Sequence, residues 1–505
     1  MFRYRKRPND AGDGVQGRRQ GAGRAIVALL ALMMGGGWGL PLPGASGGPA
    51  AVCRAAASAA SSGIRFQRVY NTIPPWNPWS PGPLEAAPTA DGGFILAGIV
   101  GNPSFSSDFF VMKTDAAGNM RWSRTYNVLQ KDGGGLPPEG GRAFDLVPTP
   151  DGGFLLAGST CCDGGKAVAE VLKINGSGDV LWNKTYRSSS VHISIRRAVA
   201  TSDGDFLLIG HSGPDATSVG MFAAKIGLDG TLRWSRTYDA YDPFIGNPAD
   251  YLRDVAPTPD GGALLVGELF QSDAALAFKI DADGNADWAR MYRLSREDDQ
   301  ANTVVRLPGG DFVIAGSGYD PLGPRGGPWV LRIDGSGNVR WAEFVSGSGV
   351  GFMVPLGDGN LLLVGGAQVT DFPDVAAAKM TPDGVVQWGR RYGRAYGDGA
   401  AAAAIVSDGG FLLAGLSSND SGNEDLYLVR ADATGSSGCL EQDLPVQVTL
   451  IDTLSINTPI VQATDVALAV EALSPSVGTL TTQSVILCSD AMAWRLYLPL
   501  VVRGP

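Results

Sequence analysis

A phrase close to Asp-Gly-Gly-Phe-Leu-Leu-Ala-Gly occurs seven times along this 505-residue chain. The final glycines of successive copies lie 60, 52, 57, 49, 49 and 50 residues apart. A period of about fifty residues, built from short apolar runs and glycine turns, is typical of sheets arranged as blades around an axis. The copies are Asp91–Gly98, Asp151–Gly158, Asp203–Gly210, Asp260–Gly267, Gly309–Gly316, Asp358–Gly365 and Asp408–Gly415.

A second element with a fixed internal spacing follows each of the first six copies. A Lys or Arg lies nine residues before a Trp, and a turn rich in Asp, Gly and Asn separates them. Constant spacing indicates a hairpin of fixed register, because a one-residue slip would turn every side chain to the wrong face. We therefore predict four antiparallel strands in each repeat. In the second repeat they are Ala143–Val147, Phe154–Gly158, Ala169–Ile174 and Val180–Tyr186. The Lys/Arg and Trp pairs are Lys113 and Trp122, Lys173 and Trp182, Lys225 and Trp234, Lys279 and Trp288, Arg332 and Trp341, and Lys379 and Trp388.

The aromatic strands and the glycine phrases are equal in number but offset by one repeat. The seventh phrase has no aromatic strand after it, whereas Arg65–Tyr70, before the first phrase, matches Arg121–Tyr126. We predict that the N-terminal strand completes the last blade, which closes the ring and protects its sheet edges. The predicted fold is all-β: a seven-bladed β-propeller of four-stranded antiparallel blades over residues 64–438, with a small C-terminal β appendage.

Two parts of the repeat resemble known families. The glycine phrase resembles the delta-60 repeat of bacterial exported proteins. The stretch Lys279–Trp288, Lys-Ile-Asp-Ala-Asp-Gly-Asn-Ala-Asp-Trp, resembles the tryptophan-docking motif of quinoprotein-like propellers. The resemblance covers about residues 64–435 and implies a propeller of an exported bacterial protein. Because propellers host unrelated functions, it implies little about activity.

Residues 1–57 are predicted to be a signal peptide. Basic residues precede an apolar run at Ala25–Leu40, which is too short and glycine-rich for a comfortable membrane span, and small residues follow around Ala57. This pattern predicts a secreted or cell-surface bacterial protein with no transmembrane span after processing. An uncleaved membrane anchor is the alternative.

The charge balance excludes some partners. Loss of residues 1–57 removes eight basic and two acidic residues, so the formal charge changes from −10 to −16. Such a surface repels phosphate backbones, and we expect no nucleic-acid partner. We expect a monomer that binds an extracellular protein or polysaccharide.

Five cysteines occur in the chain. Cys53 falls within the predicted signal region, and the other four form two plausible pairs in an oxidising compartment, Cys439 with Cys488 and Cys161 with Cys162. Adjacent cysteines also resemble the disulfide that lies over the cofactor in some quinoprotein dehydrogenases. Those enzymes usually have eight blades, and their calcium ligands have no matching motif here. A disulfide that stiffens a loop is the favoured interpretation.

No metal or cofactor site is predicted. The chain has only two histidines, His192 and His211, and no metal-ligand spacing. The acidic stretches Asp281–Asn285 and Asp334–Asn338 are similar to calcium loops but lack the third spaced ligand and the distal glutamate. Plain hairpin turns are the preferred interpretation of both.

The chain after the repeats is predicted to form two further parts. Residues 439–490 carry apolar and β-branched runs and are predicted to form the small β appendage. Residues 491–505 form an aromatic–apolar tail, for which a sorting role and a strand docked on the appendage are both open.

Ligand binding is predicted on one face of the ring. The constant short turns lie on the opposite face, so every connection of variable length emerges on this one, and variable loops on a rigid scaffold commonly carry function. Rings beside Asp, Asn and Gly suit a glycan or an extended peptide, although tethering of the loops by the same rings is equally open. The strand aromatics typified by Trp122 are predicted to pack between blades. The predicted ligand-binding residues are Trp76, Trp79, Tyr241, Phe244, Tyr319, Phe372 and Tyr396.

Two function classes follow. The favoured one is a non-catalytic recognition or scaffold propeller. The alternative is a propeller enzyme, a hydrolase or a quinoprotein-type dehydrogenase, that uses the loop face or the central channel. Carboxylates converging on the channel would favour the enzyme, whereas no catalytic residue is predicted from motifs.

Overall fold

The computed structural model describes sixteen stretches of the chain. All its extended elements are β-strands, and no helix among the described residues is long and apolar enough to cross a bilayer. The described stretches are 64–72, 85–101, 107–126, 145–163, 166–213, 220–241, 250–269, 272–295, 297–320, 326–368, 373–393, 397–418, 424–451, 454–473, 477–478 and 482–489. The predicted signal peptide and the tail 491–505 lie outside them.

The strands form seven antiparallel sheets, as the seven repeats predict. We call them blades 1–7 in the order of the glycine phrases, and call the first four strands of each blade a, b, c and d from the axis outward. The four strands are, in blade 1, β2 (Glu85–Pro88), β3 (Phe94–Gly101), β4 (Ser107–Thr114) and β5 (Met120–Tyr126); in blade 2, β6 (Asp145–Pro148), β7 (Phe154–Asp163), β8 (Lys166–Ile174) and β9 (Val180–Arg187); in blade 3, β10 (His192–Ala200), β11 (Phe206–Gly213), β12 (Gly220–Ile226) and β13 (Leu232–Tyr241); in blade 4, β14 (Asp250–Pro257), β15 (Ala263–Leu269), β16 (Ala274–Ile280) and β17 (Ala286–Arg293); in blade 5, β18 (Glu297–Arg306), β19 (Phe312–Tyr319), β20 (Gly327–Ile333) and β21 (Val339–Ser346); in blade 6, β22 (Phe352–Pro355), β23 (Leu361–Gln368), β24 (Pro373–Met380) and β25 (Val386–Tyr392); and in blade 7, β26 (Asp398–Ile405), β27 (Phe411–Ser418), β28 (Glu424–Ala431) and β1 (Phe66–Thr72).

The blades form a closed ring. Strand a of each blade contacts strand a of the next, and the seventh contacts the first. An apolar cluster of buried side chains fills each of the seven blade junctions, including the junction of blade 7 with blade 1. The apolar faces of the strands are therefore buried between blades, and the axis is left to strand a alone.

The N-terminal strand completes blade 7, as the offset of the repeats predicts. β1 pairs antiparallel with β28, with Phe66 opposite Arg430 and Tyr70 opposite Leu426. The rings of Phe66 and Tyr70 are buried in the cluster that joins blades 7 and 1. The ring is thus closed by a strand that lies more than 350 residues from its partner in the chain.

The turn between strands a and b explains the Asp-Gly-Gly part of the phrase. In blade 2, Gly152 adopts φ +78°, which favours glycine, and a Cβ on Gly153 would lie 2.3 Å from the carbonyl oxygen of Ile174. Asp151 accepts hydrogen bonds from the Thr149 hydroxyl at 2.6 Å and from Lys173 Nζ at 2.9 Å.

The same ion pair repeats in all seven blades, and it explains why a Lys or Arg stands at a constant position in strand c. Each pair joins the acid of the a–b turn to the cation of strand c and holds the two hairpins of a blade in register. The pairs are Lys113–Asp91, Lys173–Asp151, Lys225–Asp203, Lys279–Asp260, Arg332–Asp311, Lys379–Asp358 and Arg430–Asp408.

The blades have five strands rather than the predicted four, because the C-terminal segment does not form a separate appendage. It runs once around the outside of the ring and adds one strand antiparallel to strand d of each blade, which satisfies backbone groups on an otherwise open edge. Sequence alone could not show this, since each contribution is only two to eight residues long. We call β29–β35 the belt; from blade 6 down to blade 1 and then blade 7, its strands are β29 (Glu441–Asp443), β30 (Gln447–Leu450), β31 (Ser455–Asn457), β32 (Ile460–Asp465), β33 (Ala469–Leu473), β34 (Val477–Gly478) and β35 (Thr482–Ser489).

Some apolar side chains of the belt, such as Val448 and Val461, pack against the blades, while others are exposed. Leu450 and Ile460 are 65% and 57% exposed. Arg236 Nε lies 2.9 Å from Asp465 Oδ1, and Arg187 Nη2 lies 2.8 Å from Glu471 Oε2. Because exposed ion pairs contribute little stability, a covalent link at the ends of the belt would strengthen its attachment to the ring.

The two ends of the belt meet at Gln67 of β1. Gln67 Nε2 donates a 2.6 Å hydrogen bond to the carbonyl oxygen of Cys439, and Gln67 is the register partner of Cys488 in β35. We predict that Cys439 and Cys488 form a disulfide, which would close a loop of about 49 residues and stabilise the protein by roughly 4 kcal/mol. Peptide mapping of exported protein without reduction should recover the two cysteines in one linked species. Free thiols at both positions would contradict the prediction.

Candidate functional site

The recurrent tryptophans pack between blades, as predicted. Trp234 donates from Nε1 to the carbonyl oxygen of Ala282 in blade 4 at 3.0 Å. A Cβ on Gly284, which has φ +82°, would lie 2.9 Å from the Trp234 ring. Tyr238 donates to the Gly284 carbonyl at 2.8 Å, and the Arg236 guanidinium lies 6.0 Å from the Trp234 ring. These side chains hold one blade to the next and are not a binding row.

The tyrosine contact recurs at six of the seven junctions. At the junction of blades 5 and 6, Val345 replaces the tyrosine. The tyrosines and the glycines whose carbonyls accept are Tyr70 and Gly118, Tyr126 and Gly178, Tyr186 and Gly230, Tyr238 and Gly284, Tyr292 and Gly337, and Tyr392 and Gly435.

The acidic turns similar to calcium loops are hairpin turns. Asp281 Oδ1 accepts from the backbone N–H of Asp283 at 2.9 Å and of Asn285 at 2.8 Å. Asp334 makes the same bonds to Ser336 and Asn338. Among the described residues, no group of three His, Cys, Asp or Glu side chains is arranged to hold a metal ion.

One position of strand a, six residues before the first residue of the glycine phrase, is occupied by different types of side chain in different blades. Blades 1–4 place charged side chains there, and blades 5–7 place neutral ones. The axis is therefore polar on one side and largely apolar on the other. The residues from blade 1 to blade 7 are Glu85, Asp145, Arg197, Asp254, Thr303, Phe352 and Ala402.

Arg197 is the centre of the polar side. Its Nη1 forms a close ion pair with Glu85 and lies 4.0 Å from Asp145 Oδ1, while its Nε lies 3.6 Å from Asp254 Oδ1. One guanidinium from blade 3 thus compensates carboxylates from blades 1, 2 and 4.

Two of these carboxylates also bind the backbone of the following blade. Asp145 Oδ2 accepts from the backbone N–H of Ala198 at 2.7 Å, and Asp254 Oδ2 accepts from that of Val304 at 2.9 Å. Asp145 and Asp254 therefore have structural roles in joining neighbouring strands a.

The electrostatics of the cluster differ between its acids and its arginine. Burial raises the pKa of Glu85 to about 8, although Arg197 opposes this shift. Burial likewise raises the pKa of Asp145, and the carboxylate of Glu85 raises the pKa of Arg197. Burial therefore makes the ionised form of each axial acid costly, and the charge of Arg197 offsets part of this cost.

Strand a carries a β-bulge directly before this position in four of the seven blades. In blades 3, 4, 5 and 7 the register of strand a against strand b shifts by one residue. The final glycine of the phrase lies opposite the shift: a Cβ on Gly267 would lie 1.8 Å from the carbonyl oxygen of Tyr251. This glycine thus permits the bulge, and bulges commonly redirect side chains beside functional sites. The bulge residues are Arg196, Arg253, Asn302 and Ala401.

The two bulge arginines differ in their partners. Arg253 Nη2 lies 2.7 Å from the buried Glu268 Oε1. Arg196 is exposed to solvent and has no hydrogen bond or ion pair to any described residue.

His211 lies close to these arginines. Its Nε2 is 3.2 Å from the carbonyl oxygen of Leu252, and its ring meets the edge of the Tyr251 ring with centroids 5.2 Å apart. Burial and the charge of Arg196 lower the pKa of His211 to about 4, so the imidazole is neutral at physiological pH. The other histidine, His192, accepts from the backbone N–H of Ala167 at 3.1 Å.

A cavity of about 420 Å³ lies on the axis. Its volume is in the range of small-molecule sites, which bury an apolar body and offer a few polar groups. Charged residues and an apolar wall line different parts of it. The lining includes Glu85, Arg197, Asp254, Arg306, Phe352, Met353, Val354 and Ala401.

The predicted ligand-binding residues are mostly outside the described stretches. Tyr319 ends β19 and is 56% exposed. Tyr241 ends β13, where its backbone pairs with Ile460 of the belt, and its side chain is not described. Outside the described residues lie Trp76, Trp79, Phe244, Phe372 and Tyr396. Cys161 and Cys162 lie at a register shift near the end of β7, and their side chains are not described.

Sequence reasoning missed the axial residues. The sequence nevertheless contains a signal for them. When the seven repeats are aligned on the glycine phrase, the sixth residue before the phrase is charged in four repeats and neutral in the other three. The signal was overlooked because strand a is the least regular part of the repeat.

No protein-family model matches the chain, and no curated protein matches its sequence. Solved structures of propeller-like proteins do match. A protein of unknown function from Dyadobacter fermentans is 12% identical over 73% of this chain and 99% of its own, with a TM-score of 0.38. The polysaccharide lyase Uly1 is 10% identical over 72% and 92%, with a TM-score of 0.45. The β-propeller domain of the Trilobed protease from Pyrococcus furiosus is 10% identical over 70% and 96%, with a TM-score of 0.37. Identities and TM-scores this low carry no argument about function.

Proposed function

We propose that this protein is an exported, non-catalytic propeller that recognises an extracellular protein or polysaccharide through the face bearing the variable loops. The predicted export signal, and the net negative charge expected after its removal, support a secreted or surface-bound module. The resemblance of the repeat to the delta-60 and quinoprotein-like propellers of bacteria agrees with this setting.

The proposal rests on the face of the ring that bears the a–b and c–d turns, where the polar groups of the turns already have partners within the protein. There the a–b and c–d turns bind their own polar groups: the turn acids pair with the strand-c cations, and Asp281 and Asp334 accept backbone N–H groups. Turns so constant and so internally bonded offer little specificity. The connections b–c and d–a, which vary in length, leave the strands on the opposite face, and rigid scaffolds commonly present recognition loops in this way.

The first test concerns Trp76 and Trp79. The residues around them, Pro74, Pro75, Pro78 and Pro81, restrict the chain and reduce the entropy lost on binding. If both rings are hot spots worth about 2 kcal/mol each, Trp76→Ala with Trp79→Ala should weaken binding of the native partner at least tenfold. The melting temperature should stay almost unchanged. The partner would be identified by glycan-array and pull-down screening, and affinity measured by calorimetry.

A matched control comes from the opposite face. Leu181 and Val385 are 54% and 60% exposed beside c–d turns, so replacing both by Ala removes exposed apolar side chains from that face. This control should leave the affinity unchanged. Unaltered affinity in the tryptophan variant would move the site elsewhere, and a large loss of stability would show that these rings are structural.

A hydrolytic role of the axial cavity is the second candidate. Glu85 lines the cavity, and burial raises its pKa to about 8, in the direction that a general acid requires. Glu85 is itself ion-paired with Arg197, and Asp145 and Asp254 are bound by Arg197 and by backbone N–H groups, which favours the recognition role. Incubating the exported protein with each polysaccharide that it binds distinguishes the two: new reducing ends that disappear with Glu85→Gln would establish the enzyme.

A further inference from the structure

The cavity on the axis has polar side chains on one side and apolar side chains on the other. Glu85, Arg197 and Asp254 line it from blades 1, 3 and 4, and Arg306 lines it from blade 5. Phe352 begins the apolar wall, which continues through blades 6 and 7. A ligand that fills the cavity therefore meets hydrogen-bonding groups along one edge and hydrocarbon along the other.

The polar groups of the lining stay partly accessible in spite of their ion pairs. The side chains of Glu85, Arg197 and Asp254 are 18%, 26% and 15% exposed. Arg306 is half-buried and has no hydrogen bond or ion pair to any described residue. A carboxylate has more lone pairs than one ion pair uses, and a guanidinium has five N–H donors. Acceptors and donors therefore remain for a ligand along the same edge.

The charges of these four side chains restrict the kind of ligand. Two are cations and two are anions, so their formal charges cancel. An anionic ligand would lie beside Glu85 and Asp254, and a cationic ligand would lie beside Arg197 and Arg306, so each meets a like charge that disfavours it. A neutral hydroxyl group avoids this conflict, because it can donate to a carboxylate and accept from a guanidinium. The lining therefore favours a neutral ligand with several hydroxyl groups.

The cavity lies toward the a–b turns of the ring. Its lining runs from the axial position to the last residue of strand a, as at Pro257 of β14, Arg306 of β18 and Pro355 of β22. The a–b turns follow directly, whereas the b–c and d–a connections join the strands at their other ends. The cavity is therefore separate from the loop face of the proposed function.

We propose that the axial cavity binds a neutral sugar of hexose size. The hydroxyl groups of the sugar bond to Glu85, Arg197, Asp254 and Arg306, and its C–H face packs on Phe352. A volume of about 420 Å³ admits a single sugar ring, and an apolar wall with a few polar groups is the usual construction of a small-molecule site. Binding requires no cleavage of the sugar, so this inference is independent of the hydrolytic candidate. Its failure would also leave recognition by the loop face untouched.

The experiment compares sugars that share one ring and differ in charge. One series is glucose, glucuronate and glucosamine, and the other is galactose, galacturonate and galactosamine. Calorimetry or ligand-observed NMR with the exported protein measures their affinities. In at least one series the neutral sugar should bind with a dissociation constant on the order of 1 mM, and both charged analogues about fivefold more weakly, because each brings a like charge into the cavity. The proposal is wrong if in neither series the neutral sugar binds more tightly than both of its charged analogues.

Two variants locate the sugar in the cavity. Arg306→Met should weaken sugar binding about tenfold, since hydrogen bonds from a charged donor are the stronger ones, and the melting temperature should change little because the guanidinium has no described partner to lose. Arg340→Met removes a cation of the same blade whose side chain is 56% exposed and paired with Asp311 and Asp334, and it should leave sugar binding unchanged. Retained affinity in Arg306→Met, or equal losses in both variants, would overturn the assignment.

Discussion

Deletion of residues 58–72 should make the propeller aggregate or unfold at a temperature where the intact protein is folded. The deletion removes β1 and leaves β28 without its outer neighbour, so blade 7 keeps three strands and the ring opens at the junction with blade 1. It also strips β35 of the only strand with which it pairs among the described residues. The measurement is soluble yield and the melting temperature.

The size of the effect follows from what β1 buries. Phe66, Val69 and Tyr70 are each at most 3% exposed. Loss of buried side chains of this size costs about 2–5 kcal/mol each, so the three together approach 10 kcal/mol, which is comparable to the whole stability of an ordinary domain. The hydrogen bond from Tyr70 to the carbonyl of Gly118 in blade 1 is lost as well.

The control deletion removes residues 58–63, which precede the first described residue, and should leave melting unchanged. A chain lacking 58–72 that melts like the intact protein would show that blade 7 is stable with three strands. That outcome would contradict ring closure by the N terminus.

The ring was predictable because two independent sequence patterns each specify one hairpin of the same blade. The constant nine-residue spacing, as between Lys279 and Trp288, specifies one hairpin, and the Asp-Gly-Gly phrase specifies the turn of the other. The ion pair of Lys279 with Asp260 explains why both signals occur in each repeat, because it joins the Asp-Gly-Gly turn to strand c. The unpaired aromatic segment before the first phrase then left one way to close the ring.

The belt was not predictable from the same kind of reasoning. Its strands are short and begin about seven residues apart on average, which is not a repeat length known for propellers. Val448 and Val461 pack against the blades, but Leu450 and Ile460 are exposed, so hydrophobic periodicity does not report on the position of the belt. The pairing is specified by the free backbone edges of strands d, and these become visible only when the blades are assembled.

The axial site escaped prediction for a different reason. Glu85, Arg197 and Asp254 lie more than fifty residues apart and carry no motif together. Ring closure places them around one axis, so their chemistry belongs to the assembly and not to any single repeat. The final glycine of the phrase predicts a tight backbone contact there, but not which side chain the bulge presents.

Replacement of Arg197 by Met should destabilise the protein by about 3–5 kcal/mol near pH 8, because it leaves buried carboxylates of three blades without their cation. The methionine has a similar volume, so the loss reports on charge more than on packing. Thermal or denaturant unfolding measures it. Arg233→Met, which breaks the exposed pair with Asp205, should have a much smaller effect on the unfolding transition and serves as the control.

The effect of Arg197→Met should shrink as the pH falls. The folded-state pKa of Glu85 is about 8, above its ordinary value of 4.5, so the folded protein holds a proton that the unfolded chain releases. The stability linked to this proton is fully present below about pH 4.5 and is lost as the pH rises through 8. Without Arg197 the ionised forms of Glu85, Asp145 and Asp254 are disfavoured further, so the deficit relative to the intact protein should be larger at pH 8 than at pH 5.

Glu85→Gln in the Arg197→Met background separates this account from a packing defect. It removes one uncompensated charge but keeps the shape, so it should recover part of the lost stability at pH 8 and little at pH 5. A double-mutant cycle measures the coupling between the two side chains. Equal deficits at both pH values, with no recovery by Glu85→Gln, would mean that channel water solvates the axial carboxylates and that Arg197 does not hold the four blades together.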